Sequence, residues 1–221
     1  SGLVGSEMCI RDRSLDAPIF TLTHAMGFKG VLGGEYNFNR TEASIWKRFW
    51  LPASWGKIDC SVKAGAEWNT VPFPLLILPE ANLSYITQRE TFCLINNMEF
   101  LNDRFASMSI SYDMNGKLFN RIPLLKNLKW REMFRVRALW GTLTDKNNPF
   151  KSSNPDLFRF PMRDGKFTSF VMDPKIPYVE ASVGIYNIFK LLHIEYVQRF
   201  TYRDNPGINK NGVRFMVLMA F

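Results

Sequence analysis

Long apolar runs are absent from this chain. Nothing approaches the roughly 18 consecutive apolar residues of a membrane-crossing helix. The densest patch, Phe73-Pro-Leu-Leu-Ile-Leu78, is interrupted by a proline. A spanning helix is therefore excluded. Histidine is scarce, with only His24 and His193 among 221 residues. A hydrolase triad needs a serine beside an imidazole, and no spacing singles out Ser182 or Ser107 for that role. His193 reads instead as an interfacial hydrogen-bonding residue. The three cysteines, Cys9, Cys60 and Cys93, lie too far apart for a metal-binding spacing. Gly33-Gly34 lacks the strand–loop–helix setting of a phosphate loop and reads as a bulge or turn. Asp156 and Asp164 lack calcium-loop spacing. No catalytic, cofactor-binding or metal-binding residue is assigned.

Clustered positive charge is also missing. The formal net charge is +8, which raises nucleic acid as a partner. However, Lys47-Arg48, Arg135-Val-Arg137 and Lys126-Asn-Leu-Lys129 are scattered, with no basic helix and no stacking motif. No nucleic-acid partner is expected. Residues 1–13, SGLVGSEMCIRDR, differ in composition from the rest of the chain and resemble a translated sequencing-library adapter. They lack the basic start, apolar stretch and cleavage site of a signal peptide. The expected domain is residues 14–221.

What the chain does have is two-residue periodicity. Over residues 57–68, Ile58, Cys60, Val62, Ala64, Ala66 and Trp68 alternate without a fault against Lys57, Asp59, Ser61, Lys63, Gly65 and Glu67. Alternation of this kind defines a two-faced strand and not a helix. Shorter versions recur around residues 106–113, 134–141, 179–185 and 194–202. Earlier strands are vaguer, at residues 18–24, 35–38, 42–50 and 83–94. One face carries charged or small residues. The other carries Ala, Val, Ile and Cys, with Trp or Tyr near the ends. Phenylalanine alone contributes 19 residues. This is the pattern of a lipid-facing wall with aromatic girdles, more than of a sandwich core filled by branched aliphatics.

The last strand carries the pattern to the terminus. Val213, Phe215, Val217, Met219 and Phe221 fall on alternate positions. In a membrane barrel such an ending is stable because its outer face meets lipid and its edges are paired. With Phe221 set in the periplasm, residues 203–211 and 143–177 become outer loops. Residues 72–78, 120–128 and 187–192 become short apolar inner turns, each with paired leucines. The expected fold is all-β: the C-terminal portion of an antiparallel transmembrane β-barrel of about 8–10 strands, either closed or left as an open curved sheet. Lys57, Asp59, Lys63 and Glu67 are the candidate lumen-facing residues. Lys210, Gly212, Phe215, Val217 and Phe221 form the candidate assembly signal.

Several stretches together resemble Bacteroidetes-type outer-membrane proteins that carry a carboxypeptidase-regulatory-like domain and have a barrel of unknown function. The stretches are His24-Ala-Met-Gly-Phe-Lys-Gly30, Lys47-Arg-Phe-Trp50, Val71-Pro-Phe-Pro-Leu-Leu76 and Met98-Glu-Phe100. Leu118-Phe-Asn-Arg-Ile-Pro-Leu-Leu125, Asp145-Lys-Asn-Asn-Pro149 and Pro177-Tyr-Val-Glu-Ala-Ser-Val-Gly184 complete the set. The resemblance implies the bacterial outer membrane and no reaction. It also implies that the barrel-assembly machinery pairs with the terminal strand. A surface structural or transport-associated role is therefore expected, with outer-membrane lipid as partner, no cofactor and no enzymatic activity. The alternatives are a TonB-dependent-type receptor barrel and, behind it, a membrane-embedded hydrolase.

Overall fold

The alternating segments fold as β-strands in the computed structural model, which describes residues 17–31, 33–82, 84–86, 91–149, 151, 157, 162–163 and 165–217. The strands are β1 (Ile19–Gly27), β2 (Phe38–Trp50), β3 (Lys57–Glu67), β4 (Arg104–Asp113) and β5 (Arg131–Thr142). They continue as β6 (Met162–Arg163), β7 (Lys166–Phe167), β8 (Tyr178–Ile188), β9 (Leu192–Arg199) and β10 (Asn211–Val217). Eight of them form one antiparallel sheet in the order β1-β2-β3-β4-β5-β8-β9-β10, and β6 and β7 form a separate hairpin. The sheet is open: β1 and β10 are its edges and do not pair with each other. Ile19 and Thr21 of β1 and Met216 of β10 nevertheless line the same cavity, so the sheet curls around that cavity. Helix is almost absent, the one α-helix described being α1 (Pro123–Leu128), with Pro123 opening it and Lys129 closing it in the left-handed region.

Because side chains alternate across a strand, register decides what each face carries. One row runs Phe20, Ile45, Val62, Met108, Ala138 and Val179 as successive cross-strand partners. A second runs Phe49, Ile58, Tyr112, Phe134, Val183, Tyr196 and Val213 across seven strands. Both rows lie on the outside of the curl, and most of their members are exposed, Phe20 at 70% and the neighbouring Leu22 at 76%; the small Ala138 is covered by its neighbours. The opposite face holds the charges, and many of these are buried.

The core forms where the long connection of residues 68–103 packs on that inner face. Phe92, Ile95 and Phe100 from the connection meet Leu139, Met172 and Tyr178. Phe92 and Phe100 approach the Tyr178 ring edge-on, with centroids 5.6 and 5.9 Å away. A second cluster joins Val71, Leu76 and Leu101 to Leu143.

Antiparallel order sorts the connections by end. Residues 28–37, 68–103, 143–177 and 200–210 leave one end of the sheet, and 51–56, 114–130 and 189–191 leave the other. The turn at 51–56 closes tightly, with Gly56 at φ +92° against β4. A Cβ there would sit 1.8 Å from the Asp113 carbonyl oxygen, so only glycine fits.

Two expectations are corrected. Of residues 83–94, the described ones form no strand and make only isolated bridges, Ala81 with Phe92 and Ile86 with Phe215. Without that strand the parity changes, and residues 72–78 fall at the same end as the 143–177 connection, not with the other two leucine-paired turns. The segment there is a 3₁₀ turn, Phe73–Leu75, followed by buried Leu76 and Ile77. Its leucines build core and form no rim. Met219 and Phe221 lie outside the described residues, as do Cys9, Asp156 and Asp164.

Candidate functional site: a charged inner face and its clamped segment

A cavity of about 960 Å³ is lined by the inner faces of the strands and by part of the 68–103 connection. Lys57, Asp59 and Lys63 line it. Glu67 shares their face but is fully covered, accepting from the Asn39 and Asn69 amides at 2.8 and 3.3 Å. The charges at the cavity wall compensate one another. Arg48 makes a two-pronged pair with Asp59 at 2.6 and 3.0 Å. Lys57 stands 3.8 Å from Asp113, and Lys63 stands 3.7 Å from Glu42 and 2.5 Å from Glu80. Being partly exposed, these pairs add little stability, but they leave each of the three cations facing a carboxylate.

Deeper in, the pairing is stricter. Arg135 meets Glu195 at 3.1 Å, Arg137 meets Glu180 at 2.9 Å and Arg199 meets Glu99 at 2.6 Å, with both partners buried in each pair. Burying ions costs several kcal/mol unless every polar atom finds a partner. Here the partners include the backbone of the 68–103 connection. Glu180 accepts from the Cys93 and Leu94 amides at 3.0 and 3.1 Å and from the Tyr178 hydroxyl at 2.9 Å. Arg199 donates to the Leu94 carbonyl at 3.2 Å, and Arg214 donates to the Cys93 carbonyl at 2.6 Å. Wall charges thus do for residues 93–94 what a neighbouring strand would otherwise do. Asp103, also buried, accepts from the Thr144 amide and hydroxyl and from Asn147 Nδ2, tying the connection to the end of β5.

Asn102 breaks the rule. It is 1% exposed and lines the cavity, yet among the described residues neither its side-chain oxygen nor its nitrogen has a hydrogen-bond partner. Its amide lies over Gly141, where a Cβ would sit 2.2 Å from Oδ1. Glycine in β5 is what makes room for it.

The chemistry on this face is that of pairing and holding. Ser182, His193 and Glu195 do come together, but in the wrong order for nucleophilic catalysis. Ser182 donates to Glu195 Oε1, and His193 Nε2 lies 3.4 Å from Oε2. A triad needs the imidazole between nucleophile and carboxylate, whereas here the carboxylate stands between them. His193 is buried on the inner face and not interfacial, because alternation places it beside Glu195. His24 faces outward, with Nδ1 2.9 Å from the Thr41 hydroxyl. Cys60 and Cys93 are both free, and burial pushes the Cys93 thiol up despite nearby Arg137. Among the described residues no group of three metal-binding side chains occurs.

In the terminal strand, Gly212, Phe215 and Val217 lie in β10, and Lys210 precedes it, its carbonyl accepting from the Arg199 amide at 2.9 Å. Phe221 is outside the described residues. One edge of β10 pairs with β9, while the other meets, among the described residues, the short stretch at Tyr85, whose carbonyl accepts from the Phe215 amide at 2.7 Å. The residues that sequence reading missed are those of the clamp: Glu99, Glu180, Arg199 and Arg214. Glu180 and Arg199 were visible as polar members of alternating strands. Glu99 sits in a stretch without strand alternation, so no periodicity marks it.

An open antiparallel sheet with an apolar outer face, a charged inner face and a long connection clamped inside defines the class of protein. Within it, the chain belongs to a family of unknown function (DUF5686), matching its C-terminal domain over residues 9–150. That span includes β1 to β5 and the whole 68–103 connection. No curated protein and no solved structure matches the chain.

Proposed function

We propose that this chain forms the wall of a bacterial outer-membrane β-barrel with a surface structural or transport-associated role, and that it is not an enzyme. The observation that carries the reading is the inversion of the sheet. Phe20, Leu22, Val62, Phe134, Val183 and Val213 are exposed, while Arg137, Glu180, Glu195 and Arg199 are at most 2% exposed. Water would drive the opposite sorting, and a lipid surround favours this one. The strand lengths agree, since β2 to β5 and β8 have 10 to 13 residues and a tilted crossing takes about 9–11.

In this reading the cavity is the lumen side, and β1 and β10 meet each other or further strands to close the wall. The edge of β10 away from β9 is the surface that the barrel-assembly machinery would pair with, displacing the contact at Tyr85. The kinship with outer-membrane proteins carrying a carboxypeptidase-regulatory-like domain belongs to the same proposal. The test is expression of the whole protein with its own signal. The proposal expects recovery with outer membranes and a mobility shift on heating in SDS. Recovery in the soluble periplasm without a heat shift would overturn it.

A further inference from the structure

We propose that the end of the sheet bearing residues 51–56, 114–130 and 189–191 is a docking rim for the anionic headgroups of a phospholipid surface. The inference rests on the membrane reading above and deepens it by naming the lipid chemistry and the end that meets it. Three independent features converge there.

The first is misplaced apolar surface. Leu124 is 78% exposed and Phe189 82%, and Leu118, Ile122, Leu128 and Leu191 are also exposed. None of the residues of α1 or of the 3₁₀ turn before it is buried. These side chains are in no core cluster, and two of the three leucines of the six-residue helix, Leu124 and Leu128, are left exposed.

The second is charge. Residues 114–130 contain Lys117, Arg121, Lys126 and Lys129 and no acidic residue, and the turn at 189–191 adds Lys190. Arg121, Lys126, Lys129 and Lys190 are exposed. Apolar side chains interleaved with cations match an anionic membrane interface, where the chains enter the acyl boundary and the cations meet phosphate. A protein partner with an acidic face would answer the cations but leave Leu124 and Phe189 without a purpose.

The third is continuity. Lys117 Nζ donates to the Ala53 carbonyl at 3.0 Å, and Asn187 Nδ2 donates to the Lys129 carbonyl at 2.7 Å. The Tyr112 hydroxyl donates to the Trp55 carbonyl at 3.1 Å. The three connections are therefore one rim. It runs directly into exposed Phe49, Trp50, Trp55 and Phe134 at the same end of the strands, the residue types that settle at a membrane interface.

The experiment uses the full chain inserted in phosphatidylcholine vesicles with trace spin-labelled phosphatidylglycerol or phosphatidylcholine. The readout is the motionally restricted lipid fraction for each label. Expected is a preference for phosphatidylglycerol of about fivefold or more, since each cation near an anionic surface contributes on that order. It should fall towards one in the combined Arg121→Gln, Lys126→Gln, Lys129→Gln and Lys190→Gln variant and in high salt. Lys175→Gln with Arg203→Gln, at the other end of the sheet, should leave it unchanged. The heat shift in SDS checks that each variant is folded. A restricted fraction equal for both labels overturns the rim proposal and leaves the membrane reading standing. No restricted fraction for either label overturns both.

Discussion

Replacing Val62 with arginine separates a lipid-facing sheet from a water-facing one by a wide margin. Val62 is the sixth of the eleven residues of β3, 45% exposed, and sits mid-row between Ile45 and Met108 on the outer face. If β3 crosses a bilayer, that position lies near the midplane, where arginine costs about 2–4 kcal/mol. On a water-exposed strand the same change stays within about 0.5 kcal/mol. Ile58 is the internal control, since it lies second in β3 on the same face. Near the interface, arginine there costs only about 0–1 kcal/mol. The assay is reversible urea unfolding from short-chain phosphatidylcholine vesicles, followed by tryptophan fluorescence. A loss of about 3 kcal/mol for Val62→Arg is a shift of more than a hundredfold in the folded-to-unfolded ratio. The reasoning is refuted if Val62→Arg stays within about 0.5 kcal/mol of wild type and matches Ile58→Arg.

The remaining expectations concern the clamped connection. Glu180→Ala removes the carboxylate that pairs with the Arg137 guanidinium and accepts from the Cys93 and Leu94 amides. Breaking such a buried pair costs about 3–5 kcal/mol. Amide exchange at residues 91–102 should then quicken by about a hundredfold or more, with β2 to β4 unaffected, and unchanged exchange at 93–94 would rule out the clamp. Asn102→Leu removes, at similar size, two polar atoms that have no partner among the described residues, so stability should hold or rise. A loss above about 2 kcal/mol would mean the amide has a partner after all. Because burial raises the Cys93 thiol, its maleimide reaction in the folded protein should lag that of the urea-unfolded chain and need more alkaline pH. Equal rates in the two states at neutral pH would contradict its placement.

The sheet was legible because its physics is local. Residues 57–68 alternate over their whole length, and β3 forms at Lys57–Glu67 with Lys57, Asp59 and Lys63 on the face that lines the cavity. The failure at residues 83–94 was also physical. Apolar residues such as Phe92, Leu94 and Ile95 suit a strand, but here they fill core on the inner face. Short apolar runs do not reveal which of the two they will do. That one misread element reversed the end to which residues 72–78 were assigned. The site was legible in half: Arg135, Arg137 and Glu180 stood out as the polar side of otherwise apolar strands. Their tasks did not, because Glu180 serves amides that lie 86 and 87 positions away in sequence, and Glu99 pairs with Arg199 across 100. No periodicity encodes contacts of that range.

The most direct test of the proposal that the sheet faces lipid is a nitroxide scan along β3 in the vesicle-inserted protein. Single labelling cysteines are placed at positions 58 to 64 with the other cysteines changed to serine. Collision with oxygen, which concentrates in the bilayer, is compared with collision with a water-soluble nickel chelate. The account predicts a period of two, with positions 58, 60, 62 and 64 accessible to oxygen and shielded from nickel, and 59, 61 and 63 the reverse. Equal nickel accessibility on both faces would contradict it.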